Sequence, residues 1–234
     1  MKKETLINTE KLGTLFVVAT PIGNLEDMTF RAVRVFKEVD YILCEDTRVT
    51  GNLLKHYGIE TKTKRYDAHS TTRLQEDVLT DLEAGKQIAL CSDAGTPGVS
   101  DPGVHLIDQI LTKKTNAKVV AVAGPSSVTS AFSIAGIAGN QFSFLGFLPQ
   151  KKGRQTFFKE LAEAQLPTIF FESTHRIMKA LQSLQEYCPL KTVVIAREIT
   201  KFHEEVVRGS AEELVAYFTE NSDHQKGEFV VIVY

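Results

Sequence analysis

Three short runs in this 234-residue chain set acid, hydroxyl and base side chains side by side. Glu45-Asp46-Thr47-Arg48 concentrates charge directly after an apolar run. A carboxylate there suits a general base, and Arg48 suits a phosphate clamp. The same four residues also fit a helix N-cap with a surface ion pair. Phe171-Glu172-Ser173-Thr174-His175-Arg176 repeats the combination, with Glu172 as a second candidate base and His175 as either a functional group or an ordinary first-turn residue. Arg197 to Glu205 holds seven polar or charged residues out of nine. That run fits a solvated hairpin tip, or a site where Lys201 holds phosphate.

The loop from Ser92 to Gly103 packs three glycines and two prolines behind an apolar run. Glycines let backbone approach a ligand closely, and prolines hold a loop without an ordering cost on binding. Asp93 is placed to accept hydrogen bonds from ribose hydroxyls or an ammonium; a purely structural turn is the alternative. Thr20 to Asn24 lacks both G-x-G-x-x-G and G-K-[ST], which disfavours a classical NAD enzyme or P-loop NTPase. Gly124-Pro125-Ser126-Ser127 opens a helix, so its amides can meet a carboxylate, unless Ser126 is only an N-cap. No His/Cys set has zinc spacing and there is no G-x-S-x-G elbow. No metal site is expected, and a role for Mg²⁺ is left open.

These runs need strands and helices to position them. Leu15–Ala19 is continuously apolar and reads as a buried strand, Tyr41–Cys44 reads as a second, and Gln87–Cys91 and Lys118–Val122 read as further strands. Between them, Phe30, Val33, Phe36 and Val39 recur at helical spacing behind Asp27 as a plausible N-cap. Leu74, Val78 and Leu82 mark a second helix, stopped by Gly85, and Val104, Ile107 and Leu111 a third. Such alternation predicts a mostly parallel sheet covered on both faces, with ligands beyond the carboxyl ends of its strands. The loops starting at Thr20, Glu45 and Ser92 should therefore share one rim. Beyond Gly124 the pattern changes to α+β. Helices are expected at Ser126–Ala135, around Phe157 and Leu161, and over Ile177, Leu181 and Leu184. Strands are expected at Phe142–Phe144, Pro167–Phe171 and Gly227–Tyr234, with a hairpin from Thr192–Ala196 and Glu204–Arg208. The expected organisation is an α/β chain of two domains, 12–124 and 125–234, behind a disordered tail at 1–11.

Hydrophobic residues make up 43% of the chain, enough for a sizeable core. Net charge is 27 − 29 = −2, so charge alone does not announce an RNA binder. Basic clusters at Lys62, Lys64, Arg65 and at Lys151, Lys152, Arg154 fit either RNA backbone contact or a solvated face. Three dispersed cysteines read as buried, reduced thiols. The polar N-terminus is no signal peptide and no apolar run spans a membrane, so a cytoplasmic protein is expected.

Taken together, V-A-T-P-I-G-N-L from Val18, E-D-T-R from Glu45, S-D-A-G-T-P-G-V-S-D-P-G from Ser92, G-F-L-P from Gly146, F-E-S-T-H-R-I from Phe171 and A-R-E-I-T-K-F-H-E-E from Ala196 resemble the tetrapyrrole methylase superfamily, the class III methyltransferases. The match runs in order from about Gly13 to Tyr234. Tetrapyrrole branches usually carry G-x-G-x-G after the first strand and G-D-P after the cofactor strand. Here Thr20-Pro21-Ile22-Gly23 and Ser92-Asp93-Ala94 stand instead, which fits the ribosomal RNA branch.

The resemblance implies an N-terminal mostly parallel sheet, a C-terminal mixed or antiparallel sheet, and S-adenosylmethionine in the cleft between the domains, leaving as S-adenosylhomocysteine. It implies a homodimer that methylates the 2′-oxygen of a decoding-centre cytidine, position 1402 of 16S rRNA, in the small ribosomal subunit. Cofactor positions carried over are Pro21, Asp93, Thr96, Ser100, Ser126, Ser127, Phe171, Ala196, Arg197 and Gly227. Asp46 or Glu172 would take the hydroxyl proton, Arg48 and Lys201 would hold flanking phosphates, and Phe147 would stack on an unpaired base. Lys151, Lys152 and Arg154 would contact RNA. Two other classes fit less of the pattern: a methyltransferase of this fold acting on a small molecule or protein, and a non-catalytic ribosome-binding module.

Overall fold

The computed structural model describes residues 12–67, 70, 72–101, 103–112 and 115–234. The expected tail at 1–11 and Pro102 lie outside these. The chain forms two compact units: one ends at Pro21 and resumes over Leu25–Pro125, and the other joins Ile22–Asn24 to Ser126–Tyr234.

Four mainly apolar runs and one short polar edge build the sheet of the first unit. β1 (Thr14–Val18), β2 (Tyr41–Cys44), β3 (Thr63–Arg65), β4 (Gln87–Cys91) and β5 (Lys118–Val122) form one sheet in the order β3-β2-β4-β1-β5, and every pair in it is parallel. Helices α1 (Phe30–Glu38), α2 (Thr47–His56), α3 (Thr72–Glu83) and α4 (Val104–Thr112) cover it. Alternation along the strands sorts the core into two faces. Val18, Ile42, Cys44, Ala89 and Cys91 pack with Ala32 and Phe36 of α1 and Leu54 of α2. Leu15, Leu43, Ile88 and Leu90 pack with Val78 and Leu82 of α3 and Leu106 and Ile110 of α4. The helices that follow β1 and β4, adjacent strands, thus lie on opposite faces, the arrangement that marks the ligand side of such sheets.

Two helices differ in phase from the sequence reading. The N-cap of α1 is Thr29, not Asp27; its hydroxyl accepts the Ala32 N–H at 3.1 Å. That start turns Phe30 into solvent, 98% exposed, and buries Ala32, Val35 and Phe36. Along α4, Leu106 and Ile110 point inward while Val104 and Leu111 are exposed.

The second unit is a mixed sheet of β6 (Ser143–Phe147), β7 (Thr168–Ser173), β8 (Thr192–Arg197), β9 (Glu205–Ser210) and β10 (Glu228–Val233), ordered β6-β7-β10-β8-β9. Only β6–β7 is parallel, and β8 and β9 form the expected hairpin. Helices α6 (Arg154–Glu163), α7 (Ile177–Tyr187) and α8 (Ala211–Glu220) bury Phe158, Leu181 and Phe218 against one face. Val128 and Ala131 of α5 (Ser127–Ile134) pack on the other, with Ile22.

Candidate functional site

Three loops share the carboxyl rim of the first sheet, as their strand positions require. Thr20 and Gly95 exchange both backbone hydrogen bonds, at 2.9 and 3.1 Å, clipping the β1 loop to the β4 loop. Thr20 Oγ1 also donates to the Ser92 carbonyl at 3.3 Å. The Asp46 N–H donates to Asp93 Oδ1 at 3.1 Å, tying the β2 loop to the same place. Asp93 is exposed, and its other carboxylate oxygen has no hydrogen bond among the described residues. Gly124, behind β5, sits so close to Ala19 that an added Cβ would lie 3.0 Å from the Ala19 methyl.

The rest of the β4 loop is held by its own polar groups. Thr96 Oγ1 donates to the Pro125 carbonyl at 3.1 Å, and Ser100 adopts a left-handed φ of 72°. Asp101 belongs to a carboxylate group with Glu45 and Asp93. Burial, with help from those two charges, pushes the Asp101 carboxyl up to about 6 against the hydrogen bond from Ser92. Glu45 is raised as well, by burial first and then by Asp93, Asp67 and Asp46.

Asp46 and Arg48 are already engaged with each other. Asp46 is the N-cap of α2, its Oδ1 accepting the Arg48 N–H at 2.8 Å. The Arg48 guanidinium grips the same carboxylate at 2.6 and 3.1 Å. These hydrogen bonds hold the Asp46 carboxyl well below the usual range. The sequence reading of cap and ion pair therefore describes the resting structure, and in that state Asp46 is a poor base and Arg48 is no open phosphate clamp.

In the second unit the polar run at the end of β7 is a strut. Glu172 has a fully buried side chain; its Oε1 accepts the Ser173 N–H at 2.8 Å and lies 2.8 Å from Arg176 Nε in an ion pair, while that Nε–H donates to Ser173 Oγ at 3.1 Å. Arg176 Nη1 donates onward to the Leu148 carbonyl at 3.4 Å, bracing the G-F-L-P loop. The expectation of Glu172 as a base fails on this geometry, because an enclosed, ion-paired carboxylate meets no substrate hydroxyl. His175 lies in the turn before α7 rather than in the helix.

Lys201 is likewise not a free ammonium. Its Nζ sits 2.9 Å from Glu198 Oε1 and 3.0 Å from Glu228 Oε2, which takes away the phosphate role expected of it. Arg197 is 8% exposed and spends its guanidinium on the carbonyls of Lys226 (2.7 Å) and His203 (3.2 Å). Ala196 is buried in a strand paired on both sides. Gly227 exchanges hydrogen bonds with the Thr174 hydroxyl at 2.8 and 2.9 Å. Ser126 occupies the N-cap position of α5 without a side-chain cap bond, and Ser127 is the first helical residue. Phe171 meets Phe144 and Phe147 edge-on, and Phe147 is 54% exposed.

Lys151 and Lys152 are exposed on the loop before α6, whereas the Arg154 guanidinium lies over the Phe158 ring at 5.2 Å. Lys64 pairs with Asp81 and Arg65 with Asp67, so that second basic run is largely neutralised. Sequence reasoning passed over Asp101; its signal was a second aspartate in the same glycine-rich loop.

A doubly covered parallel sheet with a clipped, glycine-rich rim, followed by a mixed second unit, is a class III methyltransferase architecture. A family model described as Tetrapyrrole (Corrin/Porphyrin) Methylases matches residues 14–215, and the chain belongs to that family. Along nearly its whole length it is similar to proteins named ribosomal RNA small subunit methyltransferase I. The one from Synechocystis sp. is 42% identical over 224 residues, 95% of this chain and 79% of that one. The one from Thermotoga maritima is 39% identical over 222 residues, 95% and 98% of the two chains. Among solved structures, the cobalamin biosynthetic enzyme cobalt precorrin-4 methyltransferase shares the fold, with a TM-score of 0.67, 15% identity and 94% of each chain covered.

Proposed function

We propose that this chain transfers a methyl group from S-adenosylmethionine to the 2′-oxygen of a cytidine in small-subunit ribosomal RNA, the decoding-centre position named by the sequence resemblance. The observation that carries the cofactor reading is Asp93: an exposed carboxylate at the crevice rim, fixed through one oxygen and open through the other. That is the donor-seeking group a ribose diol requires. Likeness to relatives named as ribosomal RNA methyltransferases supports the substrate class.

Pro21, Asp93, Thr96 and Ser100 from the first unit would line the cofactor. From the second unit the resemblance supplies Ser126, Ser127, Phe171, Ala196, Arg197 and Gly227; of these, the uncapped start of α5 offers the freest donors. When bound, the sulfonium supplies an electrophilic methyl, and the hydroxyl oxygen must lie in line with it.

Asp46 takes the hydroxyl proton once Arg48 has been drawn away. An RNA phosphate competes for the Arg48 guanidinium, and losing that partner raises the proton affinity of Asp46. Proton acceptance is thereby coupled to substrate arrival. Phe147 stacks on an unpaired base, and Lys151 and Lys152 track the backbone. The enzyme acts in the cytoplasm as a homodimer. Calorimetric titration tests the cofactor half: one S-adenosylmethionine should bind per chain, and an absence of binding would refute the reading.

A further inference from the structure

Lys201 belongs to a compact knot in the second unit. The turn after β8 is strained, with Glu198 and Thr200 at φ of 50° and 67°, a conformation that costs a non-glycine residue. Two glycines from distant segments make room for it. A Cβ on Gly23 would lie 2.5 Å from Lys201 Cγ and 2.8 Å from its Cε. A Cβ on Gly227 would lie 2.7 Å from Glu198 Cγ and Oε1. The lysine stem therefore lies flat on the backbone of Gly23, while Glu198 and Glu228 fix its ammonium. Glu198 also accepts the Glu228 N–H at 2.9 Å. Ile22 and Ile199, the neighbours of this contact, share one apolar core.

From this geometry we infer that Lys201 is a positioning residue that holds Ile22–Asn24, the segment following Pro21, and is not a phosphate ligand. The inference rests on the proposed cofactor role of Pro21, which this segment directly follows. Its physical content is a steric lock: the stem leaves no space for a side chain at position 23, where a φ of 151° already disfavours one, and the two carboxylates keep the stem from swinging away.

Four proteins test it: wild type, Gly23→Ala, Lys201→Ala and the double variant. Gly23→Ala should weaken S-adenosylmethionine binding about tenfold, the effect of about 1.4 kcal/mol. In the double variant the collision partner is gone, so its loss should be smaller than the sum of the two single losses. Strict additivity would overturn the inference. Lys201→Met, which keeps most of the stem, should retain more affinity than Lys201→Ala; equal losses would also overturn it. The salt dependence of RNA binding should be unchanged in Lys201→Ala, whereas a slope lower by about 0.7 marks a lost phosphate contact and contradicts the inference. Without ligand, amide exchange at Ile22–Asn24 should be faster in Lys201→Ala than in wild type, and unchanged exchange would overturn the inference. A wild type that binds no S-adenosylmethionine would thus sink the proposed function while the exchange data still decide this point.

Discussion

The carboxylate of Asp93, at the end of β4, accepts the backbone N–H of Asp46, at the end of β2, at 3.1 Å. One oxygen thus orders the rim while the other accepts no hydrogen bond among the described residues. Asp93→Ala should weaken S-adenosylmethionine binding more than tenfold, since a hydrogen bond to a charged group contributes about 1.5–3 kcal/mol. Asp93→Asn can keep the bond to Asp46 yet offers a weaker acceptor to the ribose, so its loss should be smaller. Calorimetry on both variants checks the order; equal affinities for Asp93→Ala and wild type would remove Asp93 from the site.

Asp46→Asn should lower kcat by about 10²–10⁴-fold, the usual contribution of a general base. The cap of α2 survives, because an asparagine oxygen also accepts the Arg48 N–H. Affinity for S-adenosylmethionine should stay near wild type. Unchanged single-turnover methylation would show that another group takes the proton.

The strands were legible because β1, β2, β4 and β5 are apolar runs needing no partner to be recognised, and the shared rim followed from strand order alone. β3 was not, since Thr63–Arg65 is a polar edge of three residues. Helix α8 was missed although Ser210 and Glu213 form a capping box that the sequence displays as S-x-x-E. Candidate site residues were legible as types, but their commitments were not. Glu228 holds Lys201 from 27 positions away, and nothing in local spacing announces such a partner.

Asp101 gives a pH dependence with a definite sign. Its folded carboxyl, near 6, lies above the ordinary carboxylate value of 3.8, so the folded state holds the proton more tightly. Stability is undiminished below about pH 4 and is lost as pH rises towards 6. Asp101→Asn should therefore stabilise the protein at neutral pH by about 1 kcal/mol after allowance for solvent screening, and have no effect at pH 4. Thermal melts at the two pH values test this, and a stabilisation equal at both would contradict it.

Lys151 and Lys152 are exposed, while Arg154 is turned onto Phe158. The double variant Lys151→Ala/Lys152→Ala should lower the slope of log affinity against log salt by about 1.4, from about 0.7 per phosphate contact with single-stranded RNA. Arg154→Ala should leave the slope nearly unchanged. A slope insensitive to both lysines would take this loop out of the RNA interface.

The central claim is tested most directly by methyl transfer from labelled S-adenosylmethionine to small ribosomal subunits lacking the modification, followed by nucleoside digestion. Label in 2′-O-methylcytidine is the expected result. Label in a base-methylated nucleoside, or none in a protein shown to bind S-adenosylmethionine, would contradict the account.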